Sequence, residues 1–215
     1  VLAINFGHSG DADDAIISYN TTGGSEAMGF SVAGGTNALT LSSSAAVFNE
    51  GSADVDFRVE SDGDGYAFFV NGGDSVVNFG GSDTTRTISG LVPKFQGNSL
   101  TRMDSSIGLV CNSNDALSSM IMFGKTRAAS HGGHTVAAGG DAIGAIVWNP
   151  SDGTDMGHTS AAIDAVVNTG IGSNDLPASL RFYTNWGTTS STERMRITEE
   201  GTVAVGSGVS AAGIG

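Results

Sequence analysis

Short apolar runs separated by Gly, Asn, Asp and Ser recur along the whole chain. They fall at residues 2–6, 15–19, 28–32, 38–41, 55–59, 66–70, 76–79, 107–111, 120–123, 142–148, 180–184, 194–198 and 202–205. Each has the length of a β-strand. Turn-forming residues punctuate them every ~8–12 residues, which is the pattern of an all-β chain. The alanines of residues 160–167, SAAIDAVV, would suit a short helix. Ile163, Ala165 and Val167 alternate with Asp164 and Val166, however, and the alternation predicts a strand.

Three segments share one plan of strand, Gly-containing turn and strand: residues 28–41, 66–79 and 194–205. Gly34-Gly35, Gly72-Gly73 and Gly201 are expected to supply the positive φ that tight hairpins demand. A hairpin unit that recurs without a fixed period points to an elongated object more than to one core.

Composition sharpens this expectation. Only 39% of the 215 residues are hydrophobic and 7% aromatic, and many strand positions hold Ala, Gly, Ser or Thr. A monomeric β-sandwich of this length needs more large apolar side chains to offset chain entropy. Isolated hairpins are marginal in water and leave their edges bare. Both difficulties vanish if identical chains wrap around a common axis. The expected fold is therefore all-β: an elongated, intertwined homotrimer of short strands and hairpins. A dimer or a monomeric sandwich is the alternative.

Charge and cysteine content narrow the partners. The chain carries 22 acidic and 9 basic residues, with Lys94 and Lys125 its lysines, for a net charge of −13. Such a chain is a poor partner for a nucleic-acid backbone. No apolar run approaches the ~20 residues that span a bilayer, so no membrane insertion is expected. One cysteine excludes an intrachain disulfide framework and a zinc cluster. Cys111, in the apolar run IGLVC, reads as a packed side chain. The start VLAINFGHSG shows neither an initiator Met nor a signal-peptide pattern, and residues 205–215 read as a linker; a fragment or processed product is expected.

Candidate chemistry is sparse. Asp11, Asp13 and Asp14 in GDADD, Asp62 and Asp64 in SDGDG, and Asp152 and Asp155 in SDGTD could offer oxygens to calcium. The same residues are favoured turn formers, and that reading is preferred. His131 and His134 in SHGGH are the most suggestive metal pair, yet their glycines describe a hairpin tip. No G-x-S-x-G elbow is present, and the acidic residues fall in turns or on polar strand faces. No catalytic residue, cofactor or metal site is therefore assigned. Trp186 and Tyr183 are the candidate receptor contacts, Trp186 foremost because TNWGTT reads as a turn. Arg194 and Arg196 should share one strand face, opposite Met195 and Ile197; these four are the candidate interchain contacts.

One ordered series of segments goes further. NSNDALSSMIMFGKTR at 112–127 is followed by GDAIGAIVW at 140–148, then Asp152-Gly153-Thr154, then SAAIDAVV at 160–167. GSNDLPASLRF at 172–182, ERMRIT at 193–198 and GTVAVG at 201–206 complete it. This series resembles the shaft and pre-tip region of bacteriophage tail fibres and tailspikes. There, a run like GD.IG.I.W…DG leads to an AAI.A.V strand, then GSND.P..L.F, then ERMRI…G.VGIG. Residues 4–10, INFGHSG, and 56–80, DFRVESDGDGYAFFVNGGDSVVNFG, look like weaker members of the same repertoire.

The resemblance implies a triple-β-helix-like shaft with small β-domains. It divides the chain into an N-terminal β segment (1–50), a fibre hairpin repeat (51–90), a β-rich shaft and pre-tip domain (91–206) and a Gly/Ala/Ser linker or tail (207–215). It implies a structural, non-enzymatic virion protein of host attachment, without cofactors. Its partners would be two further copies of itself, other tail or virion proteins, and a host-surface glycan or protein receptor. A tailspike glycan depolymerase and a head fibre or decoration protein are the alternatives. In many such fibres a self-cleaving chaperone domain follows the ERMRI hairpin.

Overall fold

A computed structural model describes residues 2–8, 11–20, 26–32, 37–49, 56–80, 84–100, 102 and 105–206. They are all-β, with fourteen strands in three open sheets. The chain divides into two units, Val1–Arg86 with Val92–Ile107, and Thr87–Leu91 with Gly108–Gly215.

The first unit holds two sheets. β1 (Leu2–His8), β2 (Asp11–Asn20), β3 (Ala27–Val32), β4 (Asn37–Ser42) and β5 (Ala46–Phe48) form an antiparallel meander. Its register aligns Ile4, Ile17, Phe30, Leu39 and Phe48 in one row, and Leu2, Tyr19, Met28, Leu41 and Ala46 in another. The rows are two residues apart, so both lie on one face. That face is uncovered: Leu2, Ile4, Phe6 and Phe48 are all more than half exposed.

The second sheet comprises β6 (Phe57–Ser61), β7 (Asp64–Asn71), β8 (Val76–Phe79) and β9 (Phe95–Gly97), with β9 parallel to β8. Phe69, Val76, Asn78 and Gln96 are buried in it. The Gln96 amide accepts from Arg86 N at 2.9 Å and donates to Pro93 O at 2.8 Å, which ties Arg86 and Pro93 to the sheet. A chain of ring contacts at 4.6–6.0 Å runs from Phe48 through Phe57, Phe68 and Phe79 to Phe95.

The second unit is built on β10 (Ala142–Trp148), β11 (Ala161–Val167), β12 (Ala178–Thr184), β13 (Thr192–Ile197) and β14 (Val203–Val205), again an antiparallel meander. The SAAIDAVV segment is thus a strand. One face carries two apolar rows: Ile146, Ile163, Phe182, Met195 and Val205, and beside it Gly144, Ala165, Leu180, Ile197 and Val203. Ile146, Leu180, Val203 and Val205 on this face are exposed. The opposite face carries Ala145, Asp164, Arg181, Arg196 and Ala204 in a polar row.

Several expectations from the sequence are corrected. Residues 107–111 and 120–123 are not strands. Among the described residues, no backbone–backbone hydrogen bond engages residues 108–126. A strand needs a partner, and these strand-competent runs find none among the described residues. Leu109, Val110, Leu117, Met120, Ile121, Met122 and Phe123 along this segment are exposed, and so is Cys111, expected to be packed. Asp11, Asp13 and Asp14, expected in a turn, lie on β2. In the β7–β8 hairpin the positive φ falls on Ser75 (54°) and not on Gly72 or Gly73. Gly201 does adopt φ 83° as expected. Gly34-Gly35 and residues 207–215 lie outside the described residues.

Among the described residues the buried hydrophobic side chains are Phe69, Val76, Val166, Val167 and Ala204. No helix among them is long and apolar enough to cross a membrane.

Candidate functional site

In the β10–β14 meander, residues 149–160 join β10 to β11 and residues 185–191 join β12 to β13. Antiparallel order places both loops at the same end of the sheet. Side chains shape both loops by capping their own backbones. Asp152 Oδ1 accepts from Thr154 N at 2.8 Å and Asp155 N at 3.0 Å, and Asp155 Oδ1 accepts from Gly157 N at 2.7 Å. The Asp155 and Thr154 N–H groups hold the Asp152 carboxyl below the usual carboxylate range. Asn185 Oδ1 accepts from Gly187 N at 2.9 Å and Thr188 N at 2.8 Å, while its Nδ2 donates to Thr188 O at 2.6 Å. Gly153 (φ 97°) and Gly187 (φ 109°) complete the two turns in a conformation that favours glycine.

The base of the longer loop is fixed from below. Asn149, 8% exposed, donates from Nδ2 to Ser89 Oγ at 2.7 Å and to Met156 O at 3.2 Å. Ser89 N donates to Met156 O at 3.0 Å. Between the loops lies an open concavity of about 400 Å³, lined among others by Pro150, Asp152, Asp155, His158, Asn185 and Thr188. Trp186 sits between the lining residues Asn185 and Gly187, with 78% of its surface in water. The serines here serve the backbone: Ser160 Oγ donates to Trp148 O at 3.0 Å, and Ser151 Oγ accepts from Gly153 N at 3.2 Å. The arrangement is an open concavity with polar side chains among its lining residues, beside an exposed indole.

Tyr183 belongs to different surroundings. It lies opposite Glu193 in the β12–β13 register, with the Arg181 guanidinium 5.4 Å from its ring centre. Burial pushes its hydroxyl up, helped by the Asp164 and Glu193 carboxylates and opposed by Arg181 and Arg196. Tyr183 does not line the cavity beside Trp186.

The four candidate interchain residues are also placed. Met195 and Ile197 occupy the middle of the apolar face, between β12 and β14. The alternation expected of Arg194 and Arg196 is broken by a bulge between Phe182 and Tyr183. It seats Glu193, not Arg194, beside Arg196. Arg196 then pairs bidentately with Glu193 at 2.8 and 2.9 Å. Arg194 donates from Nε to Thr184 Oγ1 at 3.3 Å.

His131 and His134 flank a turn in which Gly132 adopts φ 75° and Gly133 N donates to Ser130 O at 3.2 Å. No group of three or more His, Cys, Asp or Glu that could hold a metal ion occurs among the described residues. Sequence reading singled out Trp186 but not the residues that organise its surroundings, Asn149, Asn185 and Ser89. For Asn185 a signal existed, since an Asn two residues before a Gly favours a side-chain-capped turn. No protein-family model matches the chain, and no curated protein is significantly similar to it.

Proposed function

We propose that this chain is a structural and adhesive virion component: part of a phage tail fibre that works as an intertwined homotrimer. The observation that carries the reading is the partly exposed apolar face of the β10–β14 sheet. Ile146, Leu180, Val203 and Val205 on it are exposed, Phe182 and Met195 are half-buried, and Phe123 lies over Gly144, so its cover within the chain is partial. An exposed sheet face of this kind marks an interface. Residues 108–126 agree, because an exposed apolar segment without backbone hydrogen-bond partners among the described residues is suited to pairing with strands from elsewhere. The number three, the virion and the host receptor come from the ordered tail-fibre motifs between residues 112 and 206.

The mechanism in this reading is mechanical and multivalent. Interchain packing of the sheet faces makes the fibre stiff and needs no cofactor. One end joins other tail or virion proteins. Three copies of each binding surface raise avidity for repeated glycan or protein epitopes on the host, even where each contact is weak. The test is the solution mass of the full chain together with immunogold labelling of phage particles. Three times the chain mass of 21.6 kDa and labelling along tail fibres are expected. A stable monomer, or label confined to the capsid, overturns the reading.

A further inference from the structure

We propose that the loop end of the β10–β14 sheet is a saccharide subsite, in which the Trp186 indole takes the face of a neutral sugar ring and the adjoining cavity takes its hydroxyls. The inference rests on the adhesive reading and names the ligand class for one of its surfaces. Three observations carry it.

The first is the cost of Trp186 where it stands. An indole 78% exposed forfeits the gain that burial would give, and burial is the default for large aromatics. The turn that carries it is capped by Asn185. Asn185 Oδ1 accepts from Gly187 N at 2.9 Å, Thr188 N at 2.8 Å and Thr188 Oγ1 at 3.4 Å, and its Nδ2 donates to Thr188 O at 2.6 Å and Thr159 O at 3.5 Å. A turn ordered before the ligand arrives has little loop entropy to lose on binding.

The second is the size of the neighbouring cavity. At about 400 Å³ it lies in the lower part of the range for small-ligand sites. That suits one or two sugar rings.

The third is the chemistry of its wall. Asp152 and Asp155 spend Oδ1 on loop amides, and among the described residues Oδ2 of each makes no hydrogen bond. These oxygens accept only, and sugar hydroxyls donate. Two carboxylates in a chain of net charge −13 disfavour anionic sugars. The partner that fits stacks through C–H groups, donates through hydroxyls and carries no negative charge.

The experiment is saturation-transfer NMR on the assembled full chain. The probes are methyl α-glucoside, methyl β-galactoside and N-acetylglucosamine, with N-acetylneuraminic acid as the anionic counterpart. At least one neutral sugar should show transfer, strongest at ring C–H protons, and N-acetylneuraminic acid none. Trp186→Ala should weaken binding about tenfold, as befits the loss of one stacking contact. Asp152→Asn retains the turn-capping Oδ1 and should weaken binding about threefold by removing the charge. Trp148→Phe should leave it unchanged. Trp186 is too exposed for its replacement to unfold the chain, and circular dichroism checks this. Absence of transfer from all three neutral sugars, undiminished transfer after Trp186→Ala, or preference for N-acetylneuraminic acid overturns the subsite. Host-cell adsorption by the same samples separates the two ideas. If the wild type and Trp186→Ala adsorb equally, the subsite fails and the adhesive reading stands. If the wild type does not adsorb, the adhesive reading fails.

Discussion

Asp164 and Arg181 face each other directly across β11 and β12 and are joined by two hydrogen bonds, 2.8 Å to Nε and 2.6 Å to Nη2. Their side chains are only 14% and 21% exposed, and Arg181 also covers the Tyr183 ring. Breaking such a pair from one side strands the other charge in a half-buried row. Asp164→Ala should therefore cost about 1.5–3 kcal/mol, the range for a hydrogen bond to a charged group. Replacing both partners, as Asp164→Leu with Arg181→Met, should cost much less, because no unpaired charge remains. Denaturant midpoints at one fixed protein concentration measure both. Equal losses in the single and double variants would show that the pair is not the origin of the effect.

Gly144 and Phe123 make a second close contact. A Cβ built on Gly144 would lie 2.5 Å from Phe123 Cγ and 2.9 Å from Cδ1. Gly144 is not among the positive-φ glycines, so its backbone tolerates alanine and the obstacle is the ring. Gly144→Ala should lift Phe123 off β10 and speed proteolytic cleavage between residues 117 and 127. Phe123→Ala alone should speed the same cleavage, and adding Gly144→Ala to it should change the rate little further. Limited proteolysis followed by mass mapping reads both outcomes.

Asp141 braces the segment before β10. It accepts two hydrogen bonds of 2.7 Å from Arg127 and one of 3.0 Å from Ala138 N. The Arg127 hydrogen bond, first, and the Ala138 amide hold its carboxyl far below the usual carboxylate range. A depressed folded pKa means that the unfolded chain binds the proton more readily. The brace therefore contributes fully above the ordinary aspartate value of about 3.9 and is lost as pH falls below it, through the folded value. The carbon-13 shift of the Asp141 carboxyl should stay flat from pH 7 to about 4 and move only at lower pH. Titration at or above the ordinary value would disprove the brace.

The fold class was legible wherever alternation and pairing agree. Residues 142–148 and 161–167 show apolar periodicity, and each has a neighbour one hairpin away, so β10 and β11 fall where the pattern puts them. Residues 107–111 and 120–123 carry the same periodicity without a local partner, and periodicity alone cannot say whether a partner exists. β9 was missed because three residues, Phe95–Gly97, are too short to alternate, and its parallel pairing with β8 is set by the chain between them. At the candidate site, Trp186 was legible through its turn. The seating of Glu193 beside Arg196 was not, because one bulge reassigns the face of every residue beyond it.

The partly exposed apolar face makes the sharpest prediction. Ile146 lies on β10 in register with Ile163, and 49% of it is exposed in a single chain. On a free monomer surface, a charge at such a position changes stability by about 0.5 kcal/mol or less. In an assembly that packs these faces together, the same charge is buried without a partner and costs several kcal/mol for each copy. Ile146→Asp should therefore convert the oligomer to single chains or abolish soluble folded protein. Thr189→Asp, on the loop between β12 and β13, should leave the mass unchanged. Light scattering after size-exclusion chromatography measures both. If Ile146→Asp keeps the wild-type mass and melting temperature, the β10–β14 face does not hold the copies together, and residues 108–126 become the place to look for the contact.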